Sequence, residues 1–211
     1  RTTDIATDVA PSTTPLGFVY DSNSGSVMDC PDATFVPLTS DKQVLHDKAN
    51  SLTAQGSTAG HIGLAWGWYM ISPNFAYLWP SASQPAAYNS NNLIKAVVLM
   101  TDGDFNTQYC NGVVSNDSMQ GYNMGNNEIN CAGTNGSSGS QFDDLCDAIK
   151  AQQNTILYTV GFDLAGNTTA LNRLRDCATS TSYFFQANTG TDLSSAFSAI
   201  AQSLNNLRVS K

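Results

Sequence analysis

The hydrophobic positions of this sequence repeat at helical spacing in some segments and form unbroken apolar runs in others. The helical spacing predicts helices at about 41–54, before Pro73, from Ser140 onwards, near 168–176 and from Thr191. The apolar, β-branched runs predict strands at about 95–101 and 155–162, with a short third strand within 182–187. Helices and strands that alternate in this way are typical of a parallel α/β sheet with helices on both faces.

The helices carry start signals and apolar faces. Ser40, followed by Gln43, matches a capping box, and Ser140 with Asp143 matches a second cap. The predicted apolar faces are Val44, Leu45, Ala49 and Leu52 in the first helix, Ile62, Ala65, Trp66 and Tyr69 in the second, Phe142, Leu145, Cys146 and Ile149 in the third, and Leu193, Phe197, Ile200, Ala201 and Leu204 in the last. The second helix is rich in small residues, so we expect it to lie close against the sheet.

Oxygen-bearing side chains follow the predicted strands. The run from Val97 to Met100 has no polar alternation, which predicts a strand covered on both faces. Asp102, Asp104 and Asn106 come where this strand gives way to a loop, and ligands of open α/β sheets bind at the carboxyl ends of strands.

Oxygen-bearing side chains occur at two further places in the sequence. These are Ser57 and Thr58 in a glycine-flanked turn, and Asp163 after the second strand. Hydroxyl and carboxylate oxygens from different loops are ligands that Mg²⁺ or Ca²⁺ accepts. The positions of these residues also have an explanation that needs no metal. In it, Asp102 and Gly103 form a turn, Thr58 is a helix N-cap and Asp163 is a solvated strand end. That explanation is the more frequent one for such residues.

The composition of the chain argues against several classes of binding partner. The chain has 211 residues, which fits one domain, and a net charge of −8 with nine Lys and Arg. Because these basic residues form no cluster, nucleic acid and anionic lipid are disfavoured as partners. No apolar stretch is long enough to span a membrane. Residues 1–38 are predicted to be an extended, loop-like segment, and 105–139 a long inserted loop rich in Asn, Gly and Ser.

Motifs for metal enzymes and hydrolases are missing from the sequence. The five cysteines, Cys30, Cys110, Cys131, Cys146 and Cys177, show no CxxC spacing, which argues against zinc and favours disulfides in an oxidising compartment. The sequence contains no G-x-S-x-G elbow, no phosphate-binding loop and no HExxH motif. Its two histidines, His46 and His61, lie on predicted helices, where packing or surface positions are more frequent than catalysis. We therefore expect a protein that is not an enzyme.

Several motifs, in order, resemble one family. "KAVVLMTDGDFNT" and "GSTAGHIGLAWGW" resemble the T-D-G strand and the threonine loop of von Willebrand factor type A domains. "VPLTSDKQVL", "GSTAGHIGLAWGWYMISP", "LMTDGDFNT", "YTVGF" and "AFSAIAQSLNNLRVSK" are similar to the C-terminal region of bacterial TadE/TadG-type proteins, minor pilins or assembly proteins of tight-adherence (Flp) pili. The resemblance covers nearly the whole chain and implies a doubly wound, mostly parallel, Rossmann-like sheet.

The resemblance also implies a metal-ion-dependent adhesion site. In that family the site combines a D-x-S-x-S loop with a threonine and an aspartate from two later loops, and Thr58 and Asp102 match the last two. Ser57 and Asp104 are expected beside these ligands, around the ion rather than on it. The first loop is missing, because in "VYDSNSGSVM" the spacing from Asp21 to the serines is one residue too long. We therefore expect a divalent cation, Mg²⁺ or Ca²⁺, to bind only weakly to this chain alone.

The missing loop implies that a neighbouring strand of the sheet is missing as well. In the family, the D-x-S-x-S strand lies beside the T-D-G strand, so without it Val97–Met100 would have an open edge. We expect this chain, 1–211, to be the C-terminal portion of a single domain, completed by an upstream segment that carries the first strands and a membrane anchor. Five cysteines with two bonds allow fifteen connectivities. The expected pairs are Cys110 with Cys131 and Cys146 with Cys177, leaving Cys30 for an upstream cysteine.

The function implied is adhesion or pilus assembly outside the cytoplasm, in the periplasm or at the surface of a Gram-negative bacterium. The expected partners are other pilus subunits or a surface ligand protein. A structural scaffold or tip module with a vestigial metal site, making its contacts through 105–139, is the alternative. A calcium-dependent hydrolase using Asp102 and Asp104 is a more distant one.

Overall fold

Five helices and three strands form the part of the chain that this computed structural model describes, residues 33–53, 58–103, 105 and 136–209. The helices are α1 (Lys42–Asn50), α2 (Gly60–Ile71), α3 (Ser138–Lys150), α4 (Thr168–Cys177) and α5 (Gly190–Val209). The strands are β1 (Lys95–Thr101), β2 (Thr155–Phe162) and β3 (Phe184–Ala187). Short 3₁₀ helices span Pro73–Leu78, Ser81–Ser83 and Thr181–Tyr183.

The three strands form one parallel sheet in the order β1-β2-β3. In its register Thr101 lies opposite Gly161, and Phe162 lies opposite Ala187. Helices α3 and α4 supply the crossovers between successive parallel strands. The predicted parallel α/β sheet is therefore confirmed, and all three carboxyl ends lie at one edge of it.

The core divides between the two faces of the sheet. On one face α2, α3 and α4 pack over the strands, and their largest fully buried side chains are Trp68, Phe142, Leu64, Leu145, Ile149 and Leu174. On the other face Ala196 and Ile200 of α5 pack against Tyr158 and Val160. Helix α2 lies close to β1, as expected, since a Cβ atom added to Gly67 would lie 3.4 Å from Val97 Cγ1.

Strand β1 is an edge strand among the described residues, where it pairs with β2 alone. Helix α5 packs on β2 and β3, which leaves Val98 and Met100 38% and 48% exposed. The apolar run is typical of a strand covered on both faces, and among the described residues its outer face lacks cover, which agrees with the expectation that an upstream segment completes the sheet. The side chain of Val97, on the opposite face, is buried.

Both predicted helix caps are displaced. Helix α1 begins after Asp41, not Ser40, because the Asp41 carboxylate accepts hydrogen bonds from the backbone N–H groups of Gln43 and Val44, at 2.9 and 3.3 Å. Helix α3 begins earlier than predicted, at Ser138. Its cap is Ser137, whose hydroxyl oxygen accepts from the backbone N–H of Ser140.

Of the four predicted apolar helix faces, that of α3 is buried throughout and the other three are not. The stripe of α3 is buried as predicted, at Phe142, Leu145, Cys146 and Ile149. In α1 no residue is buried, so its apolar face is exposed. In α2 the buried residues are His61, Leu64, Ala65, Trp68 and Ile71, which share only Ala65 with the predicted face. In α5 Ile200 is buried but Phe197 and Ala201 are exposed.

A disulfide joins α3 to α4 through Cys146 and Cys177, which is the expected pair. Cys30, Cys110 and Cys131 lie outside the described residues, as do the segment 1–32 and most of the loop 105–139. Within the described ranges, no helix is both long and apolar enough to cross a membrane.

Candidate functional site at the carboxyl edge of the sheet

The turn after β1 is held by the buried side chain of Thr101. Its hydroxyl donates to the carbonyl oxygen of Gly103 at 3.1 Å and accepts from the Gly103 N–H at 3.3 Å. These two bonds fold the chain back on itself directly after the strand. Asp102 therefore lies at the tip of the turn, and its carboxylate is exposed to solvent.

Thr58 lies against this turn from a neighbouring loop. A Cβ atom added to Gly103 would lie 3.9 Å from Thr58 Oγ1. Helix α2 starts just after, with Ala59 at the N-cap position and no side-chain cap. The interpretation of Thr58 as the helix N-cap is thus wrong, and the structure brings Thr58 and the Asp102 turn together at the carboxyl edge, as the sequence predicted.

Phe105 packs against the starts of two helices. Its ring packs on Phe142 with centroids 4.5 Å apart and covers the backbone of Gly60, where a Cβ atom would lie 1.9 Å from Phe105 Cε1. The carbonyl oxygen of Phe105 accepts a hydrogen bond from the hydroxyl of Ser138 at 3.0 Å. Phe105 is thereby attached to the start of both α2 and α3. Sequence reasoning missed this role, for which an aromatic residue within the loop was the only signal.

Asp163 occupies the corresponding position after β2. Its side chain is exposed, its φ angle is 52°, and its N–H donates to the carbonyl oxygen of Ala187 at 2.8 Å. This bond joins the ends of β2 and β3. The described contacts of Asp163 are those of a solvated strand end, which was the alternative explanation of this residue.

His61 is buried in the first turn of α2, three residues after Thr58. Burial lowers the pKa of its imidazole to about 4, so the ring is neutral at physiological pH. Its Nδ1 has no hydrogen-bond partner among the described residues. The expectation that the helical histidines serve packing or surface positions holds for both, because His46 lies exposed on α1.

The oxygen atoms at this turn are of a kind that binds a hard cation, but they are few. The Thr58 hydroxyl and the Asp102 carboxylate supply oxygen atoms of the kind that Mg²⁺ and Ca²⁺ accept, and Mg²⁺ retains several waters in protein sites. Ser57, Asp104 and Asn106 lie outside the described residues. Among the residues that are described, no group of three or more His, Cys, Asp and Glu side chains is placed to hold a metal ion.

A groove of about 460 Å³ with charged walls lies between α3 and α4. Its basic groups are engaged in ion pairs, Arg173 with Asp143 at 2.9 Å and Lys150 with Asp147 at 3.0 Å. The Cys146–Cys177 disulfide lies beneath them and is buried. These pairs explain the groove as a salt-bridged surface over a structural disulfide.

No family model matches the chain, and no curated protein or solved structure matches it.

Proposed function

We propose that this chain is part of a von Willebrand type A-like domain in a minor pilus subunit of the TadE/TadG type. The domain acts outside the cytoplasm, without catalysis, in adhesion or pilus assembly. The observation that supports this most directly is the position of Thr58 Oγ1, 3.9 Å from where a Cβ of Gly103 would lie. It places a hydroxyl beside the turn whose tip is the Asp102 carboxylate.

In this proposal Thr58 and Asp102 hold a divalent cation, and Ser57 and Asp104 lie around it. The ion, when bound, supplies a coordination position for an acidic group of a partner protein. Thr101 and Phe105 position the loop through the hydrogen bonds and ring contacts described above. With so few charged ligands, we expect this chain alone to bind the ion weakly.

Two observations bear on location and partners. The Cys146–Cys177 disulfide is of the kind that persists in oxidising compartments, which favours the periplasm or the cell surface. Among the described residues the outer edge of β1 has no strand beside it, and its exposed side chains, Val98 and Met100, are apolar. We propose that an upstream segment of the same protein pairs with this edge and completes the sheet and the metal site.

A structural scaffold in the pilus is the second candidate. It is favoured by the same open edge of β1, which another subunit would cover equally well, and it needs no metal. The two candidates differ in what depends on Asp102. An adhesin needs this carboxylate for binding its ligand, whereas a scaffold needs the apolar edge for assembly.

The deciding experiment replaces Asp102 by Ala in the full-length protein in its native host, with Asp163→Ala as the matched control at the next strand end. Loss of adhesion with normal pilus assembly, in Asp102→Ala only, would support the proposal. Loss of assembly regardless of added Mg²⁺ or Ca²⁺ would favour the scaffold. Turnover of a substrate that depends on Asp102 would instead favour a hydrolase.

A further inference from the structure

We draw no further inference here: the strongest candidate, the surface patch formed by the rings of Phe35, Trp66 and Trp79 beside α2, is an apolar face, and nothing in the structure shows what covers it.

Discussion

The ring of Phe105 occupies the space that a side chain on Gly60 would need. Phe105 follows β1 and Gly60 begins α2, so the contact connects the loop that carries Asp102 to the helix that follows Thr58. Glycine at position 60 is therefore a requirement of the candidate site rather than of the helix itself.

Gly60→Ala is accordingly expected to displace the Phe105 ring and to destabilise the fold by about 2 kcal/mol, as in other overpacked sites. Gly63→Ala, one turn further along the same helix, meets nothing within 4 Å. It should stabilise the helix by up to about 1 kcal/mol because alanine is the better helix former. Urea unfolding of both variants measures the difference, and equal effects of the two substitutions would contradict the assigned contact.

The buried imidazole of His61 makes stability depend on pH. Its pKa is about 4 in the folded chain and 6.5 when exposed, so the unfolded state takes up the proton first as the pH falls. Above pH 6.5 the titration of His61 should not change the free energy of unfolding. It should then fall by about 3 kcal/mol between pH 6.5 and pH 4.

Unfolding of His61→Leu over the same pH range provides the check. This variant should lose that part of the pH dependence, whereas His46→Leu, at an exposed position, should retain it. If the wild type and His61→Leu showed the same slope between pH 6.5 and pH 4, His61 would not be the buried neutral group described.

The Cys146–Cys177 disulfide closes a loop with a sequence separation of 31 residues. Its replacement in the double variant Cys146→Ala/Cys177→Ala should lower the free energy of unfolding by about 3 to 4 kcal/mol in the chain-entropy model. Cys30→Ala is the control and should have little effect on this isolated chain. Non-reducing peptide mapping should recover the Cys146–Cys177 pair, and a link from Cys30 to any other cysteine of the chain would refute the expected pairing.

How far the sequence predicts this fold depends on the contrast along each segment. Strands β1 and β2 are mostly apolar and β-branched, and α3 repeats its apolar residues at helical spacing, so the bounds of the strands and the buried positions Phe142, Leu145, Cys146 and Ile149 follow from pattern. Helix α2 is apolar on every side, which leaves its buried face undetermined by spacing. Contacts of Trp66 and Tyr69 with Phe35 and Phe75 decide which side faces outwards.

In the candidate site, too, some features follow from the sequence and others depend on tertiary contacts. The position of Asp102 directly after a strand predicts its place at the carboxyl edge of the sheet, whereas the pairing of Thr58 with Asp102 in one site is implied by the family resemblance. Sequence could not show that Thr101 holds the turn or that Phe105 packs on Gly60 and Phe142, because these contacts join residues distant along the chain. The burial of His61 likewise follows from how α2 packs, not from its local pattern.

Paramagnetic line broadening by Mn²⁺ in an amide NMR spectrum directly tests the proposal that Thr58 and the Asp102 turn form a divalent-cation site. At low Mn²⁺ concentrations the amides of Thr58, Asp102 and Gly103 should broaden first, with an affinity weaker than micromolar. The effect should disappear in Asp102→Asn and persist in Asp163→Asn. Broadening centred elsewhere, no selective broadening, or micromolar affinity in the chain alone would contradict the proposed weak cation site.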